Sequence, residues 1–161
     1  KWGVDVRGAR LPGVISNVAP PGGGTTDYAV EIFYEAIKHQ KYTCFLRPDS
    51  KLPMIYMPDC LKAFKQLMEA PLENLKHHTD YNLGAISFDP AELVAEIKTH
   101  IPEFEITYEP DFRQKIADSW PKSIDDSAAR SEWGWSRDYD LRAMVTDMLK
   151  VLGERHKRGE F

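Results

Sequence analysis

Cysteine is scarce in this chain of 161 residues: Cys44 and Cys60 are the only two, and they form neither a CxxC pair nor a zinc-type spacing. That excludes a disulfide scaffold and a cysteine zinc site. The expectation is two reduced, partly buried thiols in an intracellular protein. A basic surplus is absent too. Lys and Arg total 21 against 25 Asp and Glu, a formal charge of −4, and they are scattered rather than striped, which leaves no footprint for nucleic acid. No apolar run approaches the roughly 18 residues of a membrane span. The opening KWGVDVRGARLPGVIS lacks the apolar stretch and small-residue cleavage site of a signal peptide. His77 and His78 are adjacent rather than at the i, i+4 spacing of a helical metal site, so they read as a polar surface turn and no metal is expected. No nucleophile stands at a recognisable spacing from a base, and no catalytic acid or base emerges from the residues alone.

What is present is one domain's worth of an ordinary soluble composition, 42% hydrophobic and 29% charged. VDVRGARLPGVIS alternates and then runs apolar, as a strand buried in a sheet would. With Lys1 and Trp2 ahead of it, that strand starts without a methionine, and an upstream portion is expected. Residues 17–24 are loop by composition. Residues 27–40 carry helical spacing, with Ala29, Phe33 and Ile37 on one face. KYTCFLRP and MIYM read as short strands, and Pro58 opens a helix that Pro71 ends. YNLGAISF is a strand with a glycine inside it, DPAELVAEIKTHIP a helix, and FEITYEP an alternating strand. DFRQKIADSWPKS suggests a short helix ending before Trp120–Pro121, and IDDSAARSEWGW another, stopped at Gly134. The last helix has Leu141, Val145 and Met148 on one face and a charged, frayed end. Strands alternating with helices predict an α/β fold.

The stretch 21-PGGGTTDY-28 has three readings. Glycines before a helix suggest phosphate binding, but GxxxxGK[ST] and GxGxxG are both absent. As a helix start, Thr25 or Thr26 would be the N-cap and Asp27 would favour the positive helix end, together on the order of 1–2 kcal/mol. As a binding turn, the threonine hydroxyls and helix N–H groups would take a carboxylate and Asp27 an ammonium group. Local sequence does not separate these. Asp125–Asp126 reads as helix capping, since adjacent carboxylates point apart. Trp133-Gly134-Trp135 and Trp120 read as core or lid packing.

Three segments in order resemble the later half of the extended short-chain dehydrogenases. RGARLPGVIS is similar to the segment after the family's Tyr-x-x-x-Lys helix, MIYMPDCLKA to its HVxDxxxA segment, and DDSAARSEWGWSRDYDL to its C-terminal pattern. Within that superfamily, PGGGTTDYAVEIFYEA, LPMIYMPDC, EITYEPDFRQKIADSWPKSIDDSAAR and EWGW resemble the L-threonine 3-dehydrogenases of short-chain type. The resemblance implies an α/β fold, the end of a Rossmann-type parallel sheet plus a small α/β substrate-binding domain. Residues 1–161 would be the C-terminal half of an NAD-dependent enzyme that oxidises L-threonine to 2-amino-3-ketobutyrate. It further implies Thr25, Thr26 and Asp27 against the amino acid, and Trp120 either in the substrate wall or in packing. Pro12, Gly13 and Val14 would meet the nicotinamide carboxamide. The NAD fingerprint and the catalytic Tyr-x-x-x-Lys would lie upstream, so no catalytic residue is expected in this chain, which alone would be inactive. The whole protein would be a homodimer, mitochondrial in an animal and otherwise cytoplasmic. Nucleotide-sugar epimerases and dehydratases of the superfamily are the alternative, with a non-catalytic binding fragment as a further one. The sugar enzymes usually carry Asn where Gly13 stands and Arg about where Leu52 falls, and an apolar residue there cannot hold a diphosphate.

Overall fold

A computed structural model of the protein describes residues 3–161; Lys1 and Trp2, the start of the expected first strand, lie outside the described residues. That strand is divided into β1 (Ala9–Arg10) and β2 (Gly13–Ile15). Leu11–Pro12 separates them, and proline has no N–H to continue a ladder. YNLGAISF divides likewise, into β5 (Tyr81–Asn82) and β6 (Ile86–Phe88). β1 pairs in parallel with β5. β2 lies parallel to β4 (Leu52–Tyr56), which runs antiparallel to β6. β3 (Lys41–Cys44) and β7 (Glu105–Tyr108) form a further parallel pair.

The helices follow the punctuation of the sequence. α1 (Tyr28–His39) stops where Gln40 turns left-handed, at φ 52°. α2 (Met57–Glu69) has proline in its first turn and ends ahead of Pro71. α3 (Pro90–Lys98) opens on a reciprocal cap: Glu92 N–H donates to Asp89 Oδ1, and Asp89 N–H to Glu92 Oε2, both at 2.9 Å. α4 (Arg113–Asp118) and α5 (Ser127–Trp133) are short, and Gly134 closes α5 at φ 74°. In α6 (Leu141–Lys157), Met144, Val145, Met148 and Leu152 are buried. Its end is not frayed, contrary to expectation. Arg155 donates to Asn17 O at 2.7 Å and pairs with Glu160, while the Phe161 ring packs 4.5 Å from that of Tyr34.

β4 is buried along its whole length and divides two apolar clusters. Leu52, Met54 and Tyr56 face a cluster shared with α1, α3 and α6, and Ile55 faces the other, shared with α2, β5 and Trp135. The period of two along a strand puts alternate residues into opposite layers. Tyr56 Oη donates to Asp147 Oδ2 (2.6 Å) and accepts from Asn17 Nδ2 (2.7 Å), tying the strand to α6 and to the loop after β2. On α2, the buried Asp59 accepts from the amides of Asp138 (2.8 Å) and Tyr139 (3.1 Å), which fixes the approach to α6. No helix among the described residues is long and apolar enough to cross a membrane.

Candidate functional site

The loop from β2 to α1 brings most of the candidate residues together. Thr25–Asp27 form a 3₁₀ turn capped by Gly24, and α1 begins only at Tyr28. This corrects the capping reading: neither threonine is an N-cap, and no side-chain cap bond is made there. Asp27 instead shapes the loop. Its Oδ2 accepts from the amides of Gly22 (2.6 Å) and Gly24 (2.9 Å), folding the glycines back over the turn. Gly23 stands at φ 92°, which an L side chain rarely adopts. The Thr25 and Thr26 hydroxyls make no hydrogen bond among the described residues, and both side chains are half-buried.

Gly13 lies under this turn. A Cβ added there would fall 2.5 Å from Met54 Sδ and 2.7 Å from Thr26 Cγ2, so the threonine methyl is seated on the glycine. Pro12 and Gly13 are buried and Val14 is half-buried. Among the described residues β2 has a single ladder neighbour, β4, so backbone groups on its other edge have no partner in that sheet.

Trp120 makes no hydrogen bond to this turn among the described residues. It lies just past α4, 37% exposed, beside a shallow cavity of about 140 Å³ that Arg47, Ser50 and Asp118 also line. α4 itself does reach the loop. Arg113 Nη1 approaches Gly23 O at 3.5 Å, its guanidinium stacks 3.1 Å from the Phe45 ring centroid, and it forks onto Asp111 at 2.7–3.1 Å. Sequence reading passed over Arg113. Its one signal is the D-x-R spacing with Asp111, which many surface turns share.

The other marked residues fall as follows. Leu52, about where an arginine is expected in the sugar-nucleotide enzymes, is 1% exposed and paired with Phe88, facing core. Asp125 accepts from the Ser127 amide (2.9 Å) as a cap would. Asp126 does not cap: its buried carboxylate takes Arg130 Nε (2.6 Å) and Trp135 Nε1 (2.9 Å). Trp135 is buried and Trp133 packs on Tyr81, so this tryptophan pair is core. Cys44 and Cys60 are buried and unpaired, and burial pushes the Cys44 thiol up to about 11. His77 is more than a surface turn residue, since its Nδ1 lies 2.7 Å from Glu132 Oε1.

The spacing Tyr-x-x-x-Lys does occur once in the chain, at Tyr34 and Lys38 on α1. Lys38 Nζ lies 5.9 Å from the centre of the Tyr34 ring and 5.0 Å from that of Phe161, above the rings. The pair lines an open cavity of about 740 Å³ together with Glu31, Tyr42 and Phe161, and neither Gly13 nor Thr26 lines it. It is an aromatic–cation stack rather than an acid–base pair.

No protein-family model matches the chain. It is 51% identical over 158 residues, 98% of its length, to the mitochondrial L-threonine 3-dehydrogenase of Bos taurus, and spans 42% of that protein. It is 49% identical over 158 residues to an uncharacterised epimerase/dehydratase of Staphylococcus haemolyticus, of which it spans 50%. The crystal structure of L-threonine dehydrogenase from Phytophthora infestans superposes with a TM-score of 0.93 at 60% identity, over 96% of this chain and 50% of that one. The chain thus spans about half the length of the relatives it matches, with the α/β architecture expected of the later part of an extended short-chain dehydrogenase.

Proposed function

From that likeness over nearly the whole chain, we propose that it is the substrate-binding, C-terminal half of an NAD-dependent L-threonine 3-dehydrogenase, oxidising the C3 hydroxyl of L-threonine to give 2-amino-3-ketobutyrate. The observation that carries this is the turn itself. Two unengaged threonine hydroxyls stand on a glycine loop whose carboxylate, Asp27, already holds the backbone in shape. The Thr25 and Thr26 hydroxyls hold the substrate carboxylate. Asp27 keeps Oδ1 for the ammonium group while Oδ2 stays on the glycine amides. Asp27 also sits at the positive end of α1, where an anion is favoured. Arg113 steadies the loop, while Trp120, two residues past the end of α4, is left either to the substrate wall or to packing.

The open edge of β2 fits a carboxamide, because its free backbone donors and acceptors match both ends of that group. Pro12, Gly13 and Val14 would hold NAD there, and bound NAD supplies the hydride acceptor. The proton acceptor belongs to the half that this chain does not span. The whole protein is a homodimer on this reading, and mitochondrial if its source is an animal, as the bovine relative's name states for that protein. The nucleotide-sugar alternative is disfavoured by the apolar Leu52, about where those enzymes are expected to carry arginine, since an apolar side chain cannot hold a diphosphate.

NADH formation with L-threonine decides the reading, measured for this chain alone and with the complementary half of a relative fused upstream. Activity is expected only in the fusion. In that fusion Thr25→Ala and Thr26→Ala raise the threonine KM roughly tenfold, the scale of one hydrogen bond to a charged group, and leave NAD affinity nearly intact. Unchanged threonine kinetics would remove the turn from the substrate site. UDP-sugar binding by the fusion would turn the assignment to the epimerases.

A further inference from the structure

We propose that the groove between α1, β3 and the Pro20–Pro21 segment is a second ligand site, which takes an aromatic amino acid as a zwitterion and acts from there on the Thr25–Asp27 turn. Its effect on threonine use rests on the reading above; the site itself rests on the geometry of the groove.

The groove holds about 740 Å³, within the range of small-molecule sites. Three rings line it. Tyr34 and Tyr42 are 8% and 6% exposed, and the Phe161 ring packs 4.5 Å from that of Tyr34. Lys38 Nζ stands over the Tyr34 and Phe161 rings, so a face of each is open to the groove and already holds a cation.

Charges of both signs share the same walls. Glu31, Glu35 and Lys38, at i, i+4 and i+7, lie on one side of α1, and Lys41 follows at the start of β3. Among the described residues Glu31, Glu35 and Lys38 form no ion pair, and Lys41 reaches only Glu105, at 3.9 Å on the neighbouring strand. Opposite charges held apart along one groove complement a ligand that carries both. The two carboxylates oppose a nucleotide or other polyanion there.

The acid end is fixed in place. Tyr42 Oη donates to Glu31 Oε2 at 3.0 Å, which leaves Oε1 for an ammonium group. Glu35 and Lys38 are three residues apart, about 4.5 Å along the helix axis, a span that the two ends of an α-amino acid bridge. The ammonium group lies between Glu31 and Glu35. Lys38 exchanges the ring faces for the carboxylate, and the ligand's own ring takes its place against Tyr34 and Phe161.

Two connections lead from the groove to the turn. Pro20 and Pro21 form one wall and run straight into Gly22, whose amide donates to Asp27. Arg113, which approaches Gly23 O, is held above its ordinary range chiefly by Asp111 and further by Glu31. A ligand that fixes Glu31 and the two prolines therefore restrains the glycine loop from both sides.

The test measures L-phenylalanine binding by calorimetry, to this chain and to its fusion with the complementary half of a relative. One-to-one binding to both is expected. Phenethylamine and 3-phenylpropionate, each lacking one charge, should bind at least about tenfold more weakly, and Glu35→Gln and Lys38→Gln should each weaken phenylalanine about tenfold. Lys65→Gln, on an exposed side of α2, should leave it unchanged, and so should Thr25→Ala. Bound phenylalanine should slow hydrogen exchange at the Gly22 and Gly24 amides. In the fusion it should shift the threonine KM about fivefold, an effect that Lys38→Gln abolishes. Glu35 and Lys38 make no hydrogen bond or ion pair through their side chains among the described residues, so circular dichroism and melting of both variants should stay as in the parent.

No binding to either protein, undiminished affinity in Glu35→Gln and Lys38→Gln, or equal binding of the three probes overturns the proposal. So does binding that the fusion loses, since the groove would then be covered in the whole protein. Loss of phenylalanine binding in Thr25→Ala moves the ligand to the threonine turn and overturns it as well. Unchanged exchange at Gly22 and Gly24 removes the coupling. A fusion that binds phenylalanine at the groove and slows those amides, but forms no NADH from threonine, upholds the site and removes the function. Threonine oxidation that phenylalanine leaves untouched does the reverse.

Discussion

Glu132 shows how much a single side chain can carry without any signal in its local sequence. In SEWGW it reads as an ordinary helical surface acid. In the fold its side chain is 6% exposed, and it accepts from Tyr81 Oη (2.6 Å), from the amides of Lys76 (2.8 Å) and His77 (3.1 Å), and lies against the His77 ring. Burial opposes the charged form, but the hydrogen bonds from Tyr81, His77 and Lys76 outweigh it and hold the carboxyl at about 2, below its ordinary 4.5. A lowered folded pKa contributes stability that is complete above about pH 4.5 and disappears as the pH falls through 2. Glu132→Gln should therefore cost on the order of 2 kcal/mol at pH 7, by placing an amide donor among donors. It should also flatten the loss of stability between pH 5 and 2. Urea titrations at pH 7 and pH 3 check both, and equal slopes with pH in the two proteins would show that the carboxylate is not responsible.

At the scale of elements, the helices obeyed their prolines, glycines and apolar periods, whereas both long strands broke. Gly84 explains the second break. An added Cβ there would lie 2.5 Å from the Ile124 carbonyl oxygen, a backbone atom with no freedom to move aside. The chain before α5 therefore passes directly over the point where β5 gives way to β6. Gly84→Ala should destabilise the protein by roughly 1–3 kcal/mol, as overpacking does. The near-ultraviolet signal of Trp135 should change as well, because its Nε1 lies 3.3 Å from Gly84 O and bonds to Asp126. A melting temperature equal to the parent's would mean that the crossing is loose. Gly13→Ala meets side chains instead, Met54 and Thr26, and so tests the candidate site more than the fold.

Across the whole molecule, two apolar clusters share one central strand, so β4 should be the last segment to open. Hydrogen exchange of the chain alone should place its slowest amides in β4 and in α1, whose Ala29, Ile32, Phe33 and Ala36 are fully buried. Residues 4–7, which make no backbone–backbone hydrogen bond among the described residues, should exchange at nearly the free rate. Slow exchange at Val4 and Val6 would show that this segment is already paired. The burial of Cys44 and Cys60 belongs to the same picture: both thiols should resist labelling until the chain unfolds.

Residue order indicated most of the helix boundaries and the α/β class, because capping residues and prolines act locally. It also placed Gly13 and the Thr25–Asp27 turn among the candidates. Folding alone brought them together. Gly13 meets Thr26 and Met54 across separations of 13 and 41 residues, and the turn proved to be 3₁₀, with its cap on Gly24 rather than on a threonine. The roles of Arg113, Asp126 and Glu132 lie equally beyond local reading, since each depends on which distant groups come to face it. Charge and spacing propose a partner along the chain, but burial and long-range packing select the one that is used.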